Sequence, residues 1–168
     1  MNHYKNVQYY VEGDDEKKLL NVFKSEMQII VSGKIQKFNV IEEKFRSTHL
    51  MQLKPNTDVI LVFDTDTGND IILRENIQFL HDSETVKSVI CITQVKNLED
   101  ELIRSCNIKN IKELLGSKSR SDYKTDLIRV NNLKAKLEKH KFNYSLFWSQ
   151  RPDSVFSNIN NEANRIKK

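Results

Sequence analysis

The chain is short of the residues that staple or break a fold: of 168 residues, two are cysteine, four glycine and two proline. Cys91 and Cys106 form no CxxC pair and have no histidine spaced to join them. That excludes a disulfide framework, argues against zinc and points to a reducing cytoplasm. The scarcity of glycine and proline predicts regular elements with short connections. No apolar run approaches the roughly 20 residues that span a bilayer, so no membrane partner is expected. The opening residues Met1 to Lys5 carry no secretory apolar stretch. Histidine gives no ligand pattern either, since His49, His81 and His140 are widely separated.

Charge is plentiful but unevenly placed. The chain holds 27 basic and 23 acidic residues, a net +4. Residues 1–102 carry 12 basic and 17 acidic side chains, and residues 103–168 carry 15 and 6. An acidic front and a basic back fit a carboxylate-held metal beside a phosphate-binding surface, or simply a basic solvated helix face.

The patterning predicts alternating strands and helices. Residues 6–11 read as a strand rich in aromatic and β-branched residues, ending at Glu12-Gly13. Asp14 and Asp15 then open a helix with Leu19, Leu20, Val22 and Phe23 on its apolar face. One or two strands are expected in 28–41, and a helix over 42–53. Residues 58–63 are a near-continuous apolar run, the signature of a parallel strand buried on both faces. A helix capped by Asn69 or Asp70 and a strand over 86–93 follow. Helices are then expected over 98–106, 108–115 and 124–141, with 143–148 as a late strand or the end of the last helix. Residues 161–168 read as a frayed polar end. The order implies an α/β fold with a mostly parallel central sheet flanked by helices, and a basic helical extension behind it. Right-handed crossovers put all carboxyl ends of the strands on one edge, where ligands of such sheets bind.

Glu12 follows the first strand and Asp64 and Asp66 follow a later one, so residues 52 positions apart are expected to meet at that edge. Residues i and i+2 of extended chain face the same way. Carboxylates that close repel without a cation, and Mg²⁺ takes hard oxygen ligands. The expectation is a divalent cation site, Mg²⁺ or Mn²⁺. Taken singly, such aspartates are more often loop residues or helix caps.

Tyr9-Tyr10-Val11-Glu12-Gly13-Asp14-Asp15-Glu16-Lys17 and Val59-Ile60-Leu61-Val62-Phe63-Asp64-Thr65-Asp66 resemble the two motifs of TOPRIM domains, in order, spacing and strand context. The likeness covers roughly residues 5–95. It implies a Rossmann-like TOPRIM core over 1–95, with 96–168 completing the same domain. It further implies that Glu12 is a proton-transfer group or metal ligand and that Asp64 and Asp66 hold the ion. A weaker similarity to OLD-type and small ribonuclease TOPRIM proteins suggests Glu99 as a further ligand and Lys124 as a catalytic lysine, with Lys118 as a second candidate. Topoisomerase and primase activities are disfavoured, since this chain lacks the additional domain or partners they need. What remains is a compact metal-dependent nuclease, or a module acting with a separate subunit.

The basic back half supplies candidate nucleic-acid contacts at Lys118, Arg120, Lys134, Lys136 and Lys141, with Lys139 beside them. DNA is slightly favoured over RNA. Phe147 and Trp148 read as core or homodimer contacts, with base stacking as the alternative. No Gly-rich nucleotide loop is present, so any ATP dependence implies a partner ATPase, as in a phage-defence pair. Two other readings compete. Asp64-Thr65-Asp66-Thr67-Gly68 resembles the haloacid dehalogenase phosphatase motif, but departs from it at Gly68 and ends a later strand than that motif does. Alternatively, the chain is a non-catalytic, metal-dependent regulatory subunit that binds nucleic acid.

Overall fold

A computed structural model describes residues 4–168; residues 1–3 of the N-terminal stretch read above lie outside it. Its centre is an all-parallel sheet of four strands: β1 (Asn6–Val11), β2 (Lys34–Lys37), β3 (Thr57–Asp64) and β4 (Val86–Gln94). Their spatial order is β2-β1-β3-β4. The chain therefore leaves β1 toward one side for β2 and comes back past it for β3. The crevice between the carboxyl ends of β1 and β3 is a topological switch point.

Alternation along the strands divides the apolar side chains between two faces. Tyr9, Val11, Ile60, Val62, Ile90 and Ile92 pack beneath α1 (Asp14–Ser25), α4 (Leu98–Ser105), α5 (Lys112–Leu115), α6 (Arg120–Arg129) and α7 (Leu133–Lys139). Tyr10, Val59, Leu61, Phe63, Val89 and Cys91 face a second core with α3 (Ile71–His81) and Phe38, Phe45 and Phe156. The distal helices thus share one hydrophobic core with β1, β3 and β4. Among the described residues no helix is long and apolar enough to cross a membrane.

Between 28 and 41 there is one strand, β2, with an isolated bridge at Ile30, within the expected one or two. Four other local expectations are corrected. The helix expected over 42–53 shrinks to one turn, α2 (Ser47–Leu50). Here Asn76 of α3 takes over the hydrogen bonds a helix would have made. Its Oδ1 accepts from Phe45 N at 2.8 Å, and its Nδ2 donates to the carbonyls of Val40 and Glu43. Phe38 and Phe45 stack at 4.2 Å between centroids, which fixes this loop as part of the core.

The long helix expected over 124–141 starts earlier, at Arg120, and breaks at Val130-Asn131-Asn132 into α6 and α7. Asparagine competes for backbone groups and favours such breaks. Residues 143–148 are turns, neither strand nor helix. The tail over 161–168 is docked: Ala163 and Ile166 are buried, and Lys168 N donates to Ile29 O at 3.0 Å. Glu162 closes the open edge of β4, its N donating to Cys91 O and its Oε2 accepting from Cys91 N.

Candidate functional site: an acidic cluster at the carboxyl edge

The parallel register carries β1, β3 and β4 to the same edge, with Tyr10 opposite Leu61 and Asp64 opposite Gln94. Glu12 leaves β1 just beyond that point, half-buried. Thr65 is clamped to the next loop: its N donates to the carbonyls of Gln94 and Lys96, and its Oγ1 accepts from Lys96 N. With Thr65 turned inward, Asp64 and Asp66 flank it, the first half-buried and the second exposed.

α1 begins at the same edge. Gly13 N donates to Glu16 Oε2 at 2.9 Å, one half of a capping box. A Cβ at Gly13 would lie 2.7 Å from Asp15 Oδ1 and 3.0 Å from Glu16 Oε2. Glycine is therefore what lets two buried carboxylates fold back over the turn. From the other side, α4 presents Glu99 in its first turn and α6 presents Lys124. The Lys124 Nζ lies 3.8 Å from Glu99 and 4.0 Å from Asp15.

The electrostatics show how tightly these groups sit. Asp64 is pushed up to about 8, first by burial, then by the charge of Glu12, with Asp66 and Glu99 adding and the Gln94 hydrogen bond opposing. Glu12 is raised by burial and by Asp66, Glu42 and Asp15, against the pull of Lys124. Glu16 is raised by burial and by the facing Asp15 carboxyl. Burial alone would lower the Lys124 ammonium, but Asp15, Glu99, Glu16 and Asp64 outweigh it and raise it. Groups whose proton affinity is shifted by burial together with a charged neighbour cluster at functional sites, and structural ion-pair networks shift them too.

The donor set is all carboxylate oxygen, which suits a hard divalent cation. Among the described residues no three Asp, Glu, His or Cys side chains close into a ready-made cage. Mg²⁺ does not ask for one, since it keeps water and takes one or two carboxylates plus substrate phosphate. Asp64 and Asp66 could supply that pair of carboxylates, with Glu12 and Glu99 close enough to raise Asp64.

Of the basic candidates, Arg120 lies one turn before Lys124 on α6 and Lys118 just precedes that helix, both exposed. Lys134 does not come near. Its Nζ reaches Glu26 O beyond the far end of α1, a helix of 12 residues and so roughly 18 Å long. Lys136 shares that short helix, and Lys141 adjoins Phe142, whose ring stacks on Phe23 near the same far end.

The sequence assigned no role to Gln94 or Glu101, and gave Trp148 only a core, homodimer or base-stacking role. Gln94 Nε2 donates to Asp64 Oδ1 at 2.7 Å, and Gln94 Oε1 accepts from Trp148 Nε1 at 3.3 Å. Glu101, fully buried, accepts from Val95 N, Arg104 Nη2 and Trp148 N. Phe147 and Trp148 are both buried, so neither is free to stack on a base. The signal for this support was absent because it rests on contacts across 47 and 54 residues. No family model, curated protein or solved structure matches the chain.

Proposed function

We propose that the protein is a Mg²⁺- or Mn²⁺-dependent phosphodiester hydrolase of TOPRIM type that cuts nucleic acid, with DNA the favoured substrate. One observation carries this reading. Glu12 and the Asp64/Asp66 pair, from strands on either side of the switch point, share one crowded acidic edge with a lysine facing it.

In this reading Asp64 and Asp66 hold the ion and Glu99 adjoins it. When bound, the cation supplies charge neutralisation at the phosphoryl oxygens and acidifies water. The protein's own groups do the rest. Glu12, whose proton affinity burial and Asp66 raise, takes the proton from the attacking water or returns one to the leaving oxygen. Lys124, with its side chain 62% exposed, is free to swing from Glu99 and Asp15 onto the non-bridging oxygens of the phosphate. Arg120 and Lys118 extend the cationic rim toward the neighbouring phosphates. The bond broken is P–O, water supplies the new oxygen, and the leaving oxygen gains the proton. The resemblance of its motifs to OLD-type proteins supports a role as the effector of a phage-defence pair with an ATPase.

A phosphatase of haloacid dehalogenase type is the weaker reading. Gly68 departs from that motif, and Asp64 ends the third strand of the sheet instead of the first.

The test is cleavage of labelled DNA and RNA, with free nucleotide esters as a control, by wild type and by Glu12→Gln and Asp64→Asn in Mg²⁺ and Mn²⁺. Metal-dependent cutting that both substitutions abolish supports the reading. Cutting that survives both removes the site assignment. Ester hydrolysis with intact polymer favours the phosphatase. Metal-dependent binding of polymer without cutting favours a regulatory subunit.

A further inference from the structure

Gln94 closes β4 and is fully buried, with its side-chain amide wedged between Asp64 and Trp148. A glutamine amide can present either its oxygen or its NH₂ to a neighbour. Here the choice is forced from behind. The Trp148 indole can only donate, so it must meet the oxygen, which turns the NH₂ to Asp64 Oδ1. Rotating the amide would put donor against donor and oxygen against carboxylate at once. Among the described residues Asp64 Oδ1 accepts this bond and Oδ2 accepts none, so one oxygen is pinned and the other is left for a cation.

Trp148 is itself held by unusual means. Its φ is +57°, a left-handed conformation that a bulky residue rarely takes. It keeps that conformation because every polar group is used: N donates to Glu101 Oε2 at 2.7 Å, O accepts from Asn161 Nδ2 at 2.8 Å, and Nε1 donates to Gln94. Its ring packs against Phe147 and Phe23. A backbone outlier so thoroughly fixed is a common mark of a group that must be aimed.

We propose that Gln94 and Trp148 are positioning residues, a hydrogen-bonded chain that aims Asp64 at the cation from inside the core. The proposal rests on the cation reading above. It extends that reading to a segment near the C-terminus that carries no ligand of its own. Partners in this outer position usually set metal affinity by about 10- to 100-fold.

The chain contains one tryptophan, so its indole N–H gives a single resonance. Two measurements on the full chain test the proposal. In the first, Mn²⁺ binding is followed by calorimetry on wild type, Trp148→Phe, Gln94→Leu and the double variant, with folding checked by circular dichroism. Each single variant is expected to bind Mn²⁺ about 10-fold more weakly. The double variant should be no weaker than Gln94→Leu, because both substitutions cut one chain. In the second, Mg²⁺ is titrated into wild type and Asp64→Asn. The indole N–H resonance should move in wild type and stay still in the variant.

Unchanged Mn²⁺ affinity in Trp148→Phe, additive losses in the double variant, or an indole resonance indifferent to Mg²⁺ in a wild type that binds the ion would each overturn the positioning role alone. A wild type that binds neither ion would overturn the cation reading and this proposal with it. Should Gln94→Leu fail to fold, Trp148→Phe and the resonance decide between these outcomes.

Discussion

Glu99 and Glu101 leave the same first turn of α4 and meet opposite fates. Glu101 is wholly buried and fully answered, by two backbone N–H groups and the Arg104 guanidinium. Glu99 turns to the other network, where among the described residues its ion-pair partner is the Lys124 ammonium at 3.8 Å and its neighbours Asp64 and Asp15 are acids. The first arrangement answers both oxygens of the carboxylate it buries, as a structural carboxylate must. The second gathers like charges that the protein leaves in mutual repulsion. A fold keeps such a cluster at a cost in stability, and functional sites are where that trade recurs.

The contrast is broken most sharply by replacing charged side chains with neutral ones in each network. Asp64→Asn and Glu12→Gln should each lower cleavage by about 10³-fold or more while leaving stability level or raised by about 1 kcal/mol. Glu101→Ala should do the reverse at the level of folding. It strands Arg104 and two N–H groups, and urea unfolding should show a loss of about 3–5 kcal/mol. A similar stability loss in all three variants would erase the distinction.

Lys124 sharpens the comparison on the cationic side. Lys124→Met should reduce the cleavage rate about 10²-fold, with stability changed by less than about 0.5 kcal/mol because the side chain is largely exposed. Lys134→Met, at the far end of α1, should leave the rate alone and serve as its control.

Acidity supplies a gentler test. The folded-state value of Asp64, about 8, lies above that of an unfolded aspartate, about 3.9. The native protein therefore holds a proton that the unfolded chain has released. Metal-free stability should fall as pH rises from about 4 to about 8. Thermal melts should show that slope in wild type and a flatter one in Asp64→Asn. Added Mg²⁺ should restore most at the alkaline end, since ion binding displaces the proton.

The sequence carried the parts of this arrangement that are local. The strand over 58–63 and the acids just beyond it were legible because a strand buried on two faces is apolar at nearly every position. The acidic helix start at Asp14-Asp15-Glu16 was legible from the helix dipole. The loop over 38–46 was misread because one distant side chain, Asn76, supplies its hydrogen bonds. The tail was misread because its polar composition hides two apolar anchors, Ala163 and Ile166. Gln94 and Trp148 had no motif to betray them, since their meaning lies only in which atom each presents to the next.

The most direct measurement is anomalous scattering from crystals of the protein grown with Mn²⁺. The account predicts a peak at the carboxyl edge, in contact with Asp64 and Asp66 and within reach of Glu12. It predicts the loss of that peak in Asp64→Asn. No peak at saturating Mn²⁺, or one bound elsewhere with Glu12 turned away from the aspartate pair, would contradict it.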